Sequence, residues 1–98
     1  MHRQVRVYRI RPGELQAFVA EWRAGVVPLR HRFGFTVEHA WASLKDDTFA
    51  SVVGCDGDDW HAAEEAYYDS DERRALAPDP ARHVLEARTF LASAAPLR

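Results

Sequence analysis

The stretch PGELQAFVAEWRAGVVPLRHRFGFTVEHAW, residues 12–41, decides the fold. Pro12 and Gly13 open a helix, with the proline near the first turn, where its missing N–H is harmless. Leu15, Phe18, Val19, Trp22 and Val26 follow at spacings of three and four residues and draw one apolar stripe. Gly25 and Pro28 interrupt that stripe. A proline inside a helix removes one hydrogen bond and crowds the preceding turn, so a kink or restart is expected there, with Pro28-Leu29-Arg30 leading a last turn or two. Gly34 stands where a helix C-terminal stop belongs. From Phe35 the period changes to two, with Phe35, Val37, His39 and Trp41 on one face and Thr36, Glu38, Ala40 and Ala42 on the other.

Working outward, Gln4 to Ile10 alternates and is rich in β-formers, which predicts a first strand. Lys45-Asp46-Asp47 is a polar turn, and Thr48 to Cys55 predicts a third strand paired with the second as a hairpin. The acidic cluster Asp56-Gly57-Asp58-Asp59 suits a helix N-terminus, where negative charge meets the helix dipole. A second helix is expected from about Asp59 to Asp69, burying Trp60, Ala63 and Tyr67, with a short further turn over Ser70 to Leu76. Ala77 to Ala81 reads as a loop, Val84 to Leu91 as a fourth strand, and residues 92–98 as an exposed tail.

The order βαββαβ is that of an α+β, ferredoxin-like single domain: a four-stranded antiparallel sheet with two helices on one face. The face carrying Val5, Val7, Phe35, Val37, His39, Trp41, Phe49 and Val53 is the more apolar and is expected beneath the helices. The opposite face would then carry Arg6, Tyr8, Glu38, Ala40, Val52, Arg88 and Phe90. Its mixture of small, apolar and oppositely charged residues fits a surface covered by a second copy better than one open to water. A homodimer joined through that face is therefore expected.

Ninety-eight residues suffice for one domain and not for two. With 47% hydrophobic and 29% charged residues the chain lies in the ordinary globular range. No apolar run of about 18 residues is present, so no membrane span is expected. The N-terminus alternates instead of showing a basic stretch followed by an apolar block, and a cytoplasmic location follows. Cys55, the single cysteine, can form no internal disulfide and no thiolate metal site. The basic residues are almost all arginine and alanines abound, a bias of the kind seen in GC-rich bacteria. Residues 1–33 hold seven arginines against Glu14 and Glu21, whereas residues 46–79 are strongly acidic, although the net charge is only −2. The two halves are expected to complement each other in the fold or across a subunit contact.

The run YRIRPGELQAFVAEWRAGVVPLRHRFGFTVEHAW resembles the NIPSNAP-type proteins of the dimeric α/β-barrel superfamily, through Tyr8, Pro12-Gly13, Phe18, Pro28, Arg30, Gly34-Phe35 and Trp41. It departs from them at Val53-Gly54-Cys55-Asp56, where an aromatic is frequent in the family. The resemblance implies two ferredoxin-like subunits with stacked sheets, and no settled reaction. Relatives in the superfamily include cofactor-free monooxygenases, haem-degrading enzymes and isomerases, with their sites between sheet and helices.

Within that frame His39 is the candidate catalytic base, a polar ring expected in an apolar pocket under the helices. Trp22, Trp41, Trp60 and Tyr67 are candidate walls for a flat aromatic ligand, and Arg30 for its anionic end. His31, His39, His61 and His83 have no i, i+4 or H-x-H spacing, so no metal site is expected, and no cofactor is expected either. RNA binding is disfavoured by the net charge of −2 and by the few outward aromatics. Three functions follow: a small-molecule binding protein for an apolar or aromatic ligand, a cofactor-independent monooxygenase or isomerase acting through His39, and a non-catalytic homodimeric interaction module.

Overall fold

Four strands of eight or nine residues make the sheet: β1 (His2–Ile10), β2 (Phe35–Ser43), β3 (Thr48–Cys55) and β4 (Val84–Ala92). The computed structural model describes residues 1–97. The strand order is β2-β3-β1-β4 and every neighbouring pair is antiparallel. This is the expected ferredoxin-like arrangement. Ala92 belongs to β4 and not to the tail, so the exposed irregular end begins at Ser93; Arg98 lies outside the described residues.

The break foreseen at Gly25 and Pro28 is a change of helix type. α1 (Leu15–Glu21) passes into a π-turn over Trp22–Val26, and α2 (Val27–Arg32) restarts with Pro28 in its first turn. The wider turn absorbs the missing proline N–H, so the chain bends without leaving the helical path. At Gly25 a Cβ would lie 2.8 Å from Leu76 Cδ1, so a larger residue there would push the tip of that leucine side chain aside. Gly34 closes α2 with φ +87°, the left-handed stop expected there.

α3 (Trp60–Asp69) begins at Asp59, whose side chain accepts from the Ala62 N–H at 3.1 Å. α4 (Asp71–Arg74) is the short further turn, capped by Ser70. A 3₁₀ turn over Pro80–His83 then leads into β4.

The phase of β1 is opposite to the one expected. Gln4, Arg6, Tyr8 and Ile10 lie under the helices; Val5 and Val7 face away. Pairing is the cause. Tyr8 stands across from Phe49, Arg6 from Ser51 and Gln4 from Val53, and these β3 residues form the helix-facing side. A slip of one residue would reverse every one of these partners. β2 changes phase within itself. Its register shifts between Val37 and His39, so Glu38 is an extra, bulged residue. Before the bulge Phe35 and Val37 pair with Cys55 and Val53 on the helix side. After it His39 and Trp41 pair with Val52 and Ala50 on the open side, and Ala40 and Ala42 turn inward.

The core is accordingly split in two. Leu29, Phe35, Val53, Cys55, Trp60 and Tyr67 pack at one end, and Ile10, Leu15, Phe18 and Phe49 at the other. Arg6 and Ser51, both buried, occupy the sheet between them. Because Gly34 has a left-handed φ of +87° and its Cβ would meet nothing, Gly34→Ala isolates conformational strain. It is expected to lower the unfolding free energy by about 1–2 kcal/mol, read as a shifted urea midpoint at unchanged slope.

Candidate functional site

Between the two cores lies a cavity of about 220 Å³, roofed by the helices and floored by the sheet. Its apolar walls are Phe18, Trp22 and Val26 from the first helix, Val37 and Val53 from the sheet, and Pro80, Ala81, Val84 and Ala87 from the approach to β4. Trp22 is held by Phe49, ring centroids 4.8 Å apart, and Phe18 by the same ring at 4.9 Å. An apolar cavity of about 150 Å³ accommodates a benzene ring, so this one admits a substituted ring.

The polar wall is built from Arg6, Tyr8, Arg30, Tyr67, Tyr68 and Arg73. Arg6 reaches it from the central strand and is only 8% exposed. Its Nε donates to Tyr8 Oη at 2.7 Å, its Nη2 to Tyr68 Oη at 3.0 Å, and its Nη1 to Gln4 Oε1. Arg30, 2% exposed, donates to Glu64 Oε1 at 2.6 Å and to the same Tyr68 oxygen at 3.2 Å. Its guanidinium lies over the Tyr67 ring at 4.1 Å and the Phe35 ring at 4.6 Å. Glu64 faces Arg6 as well, at 3.7 Å. Burial by itself would depress the Arg6 guanidinium, but Tyr8, Tyr68 and Glu64 outweigh it and hold the group above the ordinary arginine range. Burial pushes the Tyr8 phenol up, with Arg6 opposing, and pushes Tyr67 up against Arg30 and Arg73. Both phenols are therefore neutral near pH 7, hydrogen-bond donors rather than bases.

One wall is held by ion pairs. Arg73 grips Asp79 with two bonds, Nη1 to Oδ2 at 3.1 Å and Nη2 to Oδ1 at 3.3 Å, and Asp79 caps the 3₁₀ turn through the Ala81 N–H. At the other end of that turn His83, 6% exposed, sits between two carboxylates of the first helical segment. Its Nδ1 lies 2.6 Å from Glu14 Oε1 and its Nε2 3.2 Å from both Glu21 oxygens. Arg82 also bonds Glu21, at 2.5 and 2.8 Å. The turn carrying Pro80 and Ala81 is thus pinned to the helix across the cavity.

No protein-family model matches the sequence, and no curated protein matches it. Solved structures do. A NIPSNAP domain protein from Burkholderia xenovorans superposes with a TM-score of 0.80 at 16% identity, covering 100% of this chain and 98% of that one. A NIPSNAP family protein from Agrobacterium tumefaciens gives 0.82 at 16% identity, over 99% and 98%. The chain has the NIPSNAP fold. The fold is shared more widely, since a protein described as an antibiotic biosynthesis monooxygenase superposes at 0.71 with 16% identity, over 98% and 100%.

Within this NIPSNAP fold, three of the residues singled out in the sequence line the cavity: Trp22, Arg30 and Tyr67. Trp60 does not. It is 3% exposed in the core with its ring 5.4 Å from Phe35. His39 and Trp41 are carried to the opposite side of the sheet by the bulge at Glu38 and stack there, 5.5 Å apart. Arg30 reaches the cavity with its guanidinium paired to Glu64 at 2.6 Å. Arg6, Tyr8, Tyr68 and Arg73 also line the cavity; the sequence pattern places the first two on the dimer face, the opposite phase of β1, and gives no site role to the other two. A signal for that phase was present: Val5 and Val7 are bracketed by Arg3 and Arg9, while Arg6 and Tyr8 share their face with Ile10. Among the described residues no three His, Cys, Asp or Glu side chains converge on a metal-binding geometry. No helix among them is long and apolar enough to cross a membrane.

The bonds to Glu14 and then to Glu21 raise His83 above its ordinary 6.5, against the opposing effects of burial and Arg82. A raised folded-state value stabilises the protein fully below the unfolded value and less as pH climbs through the folded one. Thermal stability is therefore expected to decline from about pH 6.5 upward. In His83→Gln that decline should flatten. Parallel melting profiles for the two proteins between pH 6 and 9 would show that the clamp contributes nothing.

Proposed function

We propose that this protein binds a small, largely apolar or aromatic molecule in the cavity between sheet and helices. The observation carrying this reading is the cavity itself: about 220 Å³ of space between sheet and helices, walled by Phe18, Trp22, Val37 and Val53. The composition of its walls favours binding over proton-transfer catalysis. The lining residues include no histidine, carboxylate or thiol, and burial raises two of the three phenols. A base at His39 would have to work on the far face of the sheet, apart from the cavity. The lone thiol, Cys55, is buried and fits work in a reducing, cytoplasmic setting.

Toluene and indole are suitable first probes. Ligand that binds only the folded protein raises its melting temperature in proportion to the logarithm of concentration over Kd. Both probes are expected to stabilise the wild type and to perturb the amide resonances of Trp22, Val26 and Val53. Val26→Trp, which fills the cavity from the π-turn, should abolish both effects while the protein stays folded. Equal stabilisation of the variant would place the probes elsewhere.

The open face of the sheet is proposed to meet a second copy of the chain. Its constituents differ from those expected: Arg6, Tyr8 and Ala40 leave it, Val5, Val7, His39 and Trp41 join it, and Glu38, Val52, Arg88 and Phe90 remain. Trp41 is 59% exposed and Phe90 48%, beside two outward valines of the central strand. Apolar surface of this kind is commonly covered in an assembly. Light scattering at micromolar concentration should give a dimer for the wild type and a monomer for the double variant Trp41→Glu, Phe90→Glu. A monomeric wild type would remove this part of the reading.

A further inference from the structure

The polar wall of the cavity holds more donors than acceptors. Glu64 is engaged by Arg30 and Arg6, Gln4 Oε1 by Arg6, and Asp79 by Arg73 and the Ala81 N–H. The Tyr8 oxygen accepts from Arg6, and the Tyr68 oxygen accepts from Arg6 and Arg30 together. Among the described residues, two buried side-chain polar atoms have no hydrogen-bond partner: Tyr67 Oη and Arg73 Nε. Both residues line the cavity, Tyr67 is 0% exposed, and the Arg73 guanidinium lies 6.0 Å from the Tyr67 ring centre. Buried polar atoms are normally paired, so a phenol and a guanidinium N–H left without partners on one cavity wall can be satisfied by an acceptor entering the cavity, water or ligand. Charge points the same way. Three guanidiniums, Arg6, Arg30 and Arg73, face two carboxylates, Glu64 and Asp79, which leaves one positive charge over.

We propose that Tyr67 Oη and Arg73 Nε form an oxyanion-binding site at the polar wall of the cavity, so that the ligand is a small aromatic molecule bearing a single anionic oxygen group. This deepens the cavity reading and rests on it. A phenol O–H and a guanidinium N–H both donate, and a charged acceptor forms the shorter, stronger kind of bond with each. The apolar walls hold the ring while the oxyanion satisfies both donors and offsets the surplus charge. The donor on offer is the Nε of Arg73, which has no partner while its two Nη atoms grip Asp79; both Nη atoms of Arg30 are engaged by Glu64 and Tyr68. The same chemistry has two sources, a carboxylate on the ring or an ionised phenol or enol belonging to it.

The test uses three probes at pH 7 on the full chain: benzoate, its neutral amide benzamide, and 4-nitrophenol, whose ionised form is coloured. If the oxyanion is a carboxylate, benzoate should bind about tenfold more tightly than benzamide. If it is an ionised phenol or enol, 4-nitrophenol should lose its proton at lower pH when bound than when free. Either preference should disappear in Tyr67→Phe, which deletes a buried hydroxyl that has no well-formed hydrogen bond and should leave the protein folded. Arg73→Lys, which keeps the charge and removes Nε, should weaken it in the same direction. Binding of benzamide with neither preference overturns the oxyanion site and leaves the cavity reading standing. Failure of all three probes where toluene or indole binds overturns the oxyanion site alone; failure of all five overturns both. A preference that survives in Tyr67→Phe with full strength also overturns the assignment.

Discussion

The structure turns on a charged side chain in an uncommon place. Arg6 projects from the middle of a central strand into the layer between sheet and helices, where an unpaired guanidinium would cost several kcal/mol. It is tolerated because each of its three nitrogens donates to a partner and a carboxylate stands nearby. Gln4 and Tyr8 come from its own strand, two residues to either side; Tyr68 and Glu64 come down from α3. Arg30 enters the same network from α2 and shares the Tyr68 oxygen. The sheet, the first helical segment and the second are therefore tied to one another through a single polar cluster.

That cluster explains why there are two cores and a cavity. Apolar side chains pack on either side of Arg6 and Ser51, and neither group reaches fully across them. The remaining space has aromatic and aliphatic walls on one side and arginines and tyrosines on the other. Such a space is mostly apolar with a few convergent polar groups, the usual makeup of small-molecule sites. The turn at Pro80–His83 completes the enclosure, fastened at one end by Arg73 to Asp79 and at the other by His83 and Arg82 to Glu14 and Glu21. The charge imbalance along the chain finds part of its meaning here, since Arg6 and Arg30 of the basic first third meet Glu64 of the acidic segment.

The bulge at Glu38 has a second consequence. By placing His39 and Trp41 on the same side as Val52, Val5 and Val7, it makes the open face more apolar than strict alternation allows. Glu38 itself stays on that face and pairs with Arg3 at 2.8 Å, with its carboxylate against Gly54, where a Cβ would come within 2.8 Å of Oε1. Glycine at that position makes room for the bulged side chain.

Element order and breaks were legible because their causes are local. The π-turn lies where Gly25 and Pro28 predict a kink, Gly34 stops the helix, and Asp59 caps α3, each within a residue or two of where the sequence places it. Trp22 and Tyr67 were legible as cavity walls because helical spacing alone sets their face. Period-two alternation in β1 is different: it separates two sets of residues without saying which is buried. Hydrophobicity favours Val5 and Val7, yet pairing with Phe49, Ser51 and Val53 turns Arg6 and Tyr8 inward. That choice depends on hydrogen-bond register between strands 40 residues or more apart, and on partners from α2 and α3 that make a buried arginine tolerable. The chain's own residues thus dictate where helices and strands begin and end. Tertiary pairing alone decided the face of His39, the burial of Arg6 and the donors left without acceptors, because each is a property of groups that meet only after folding.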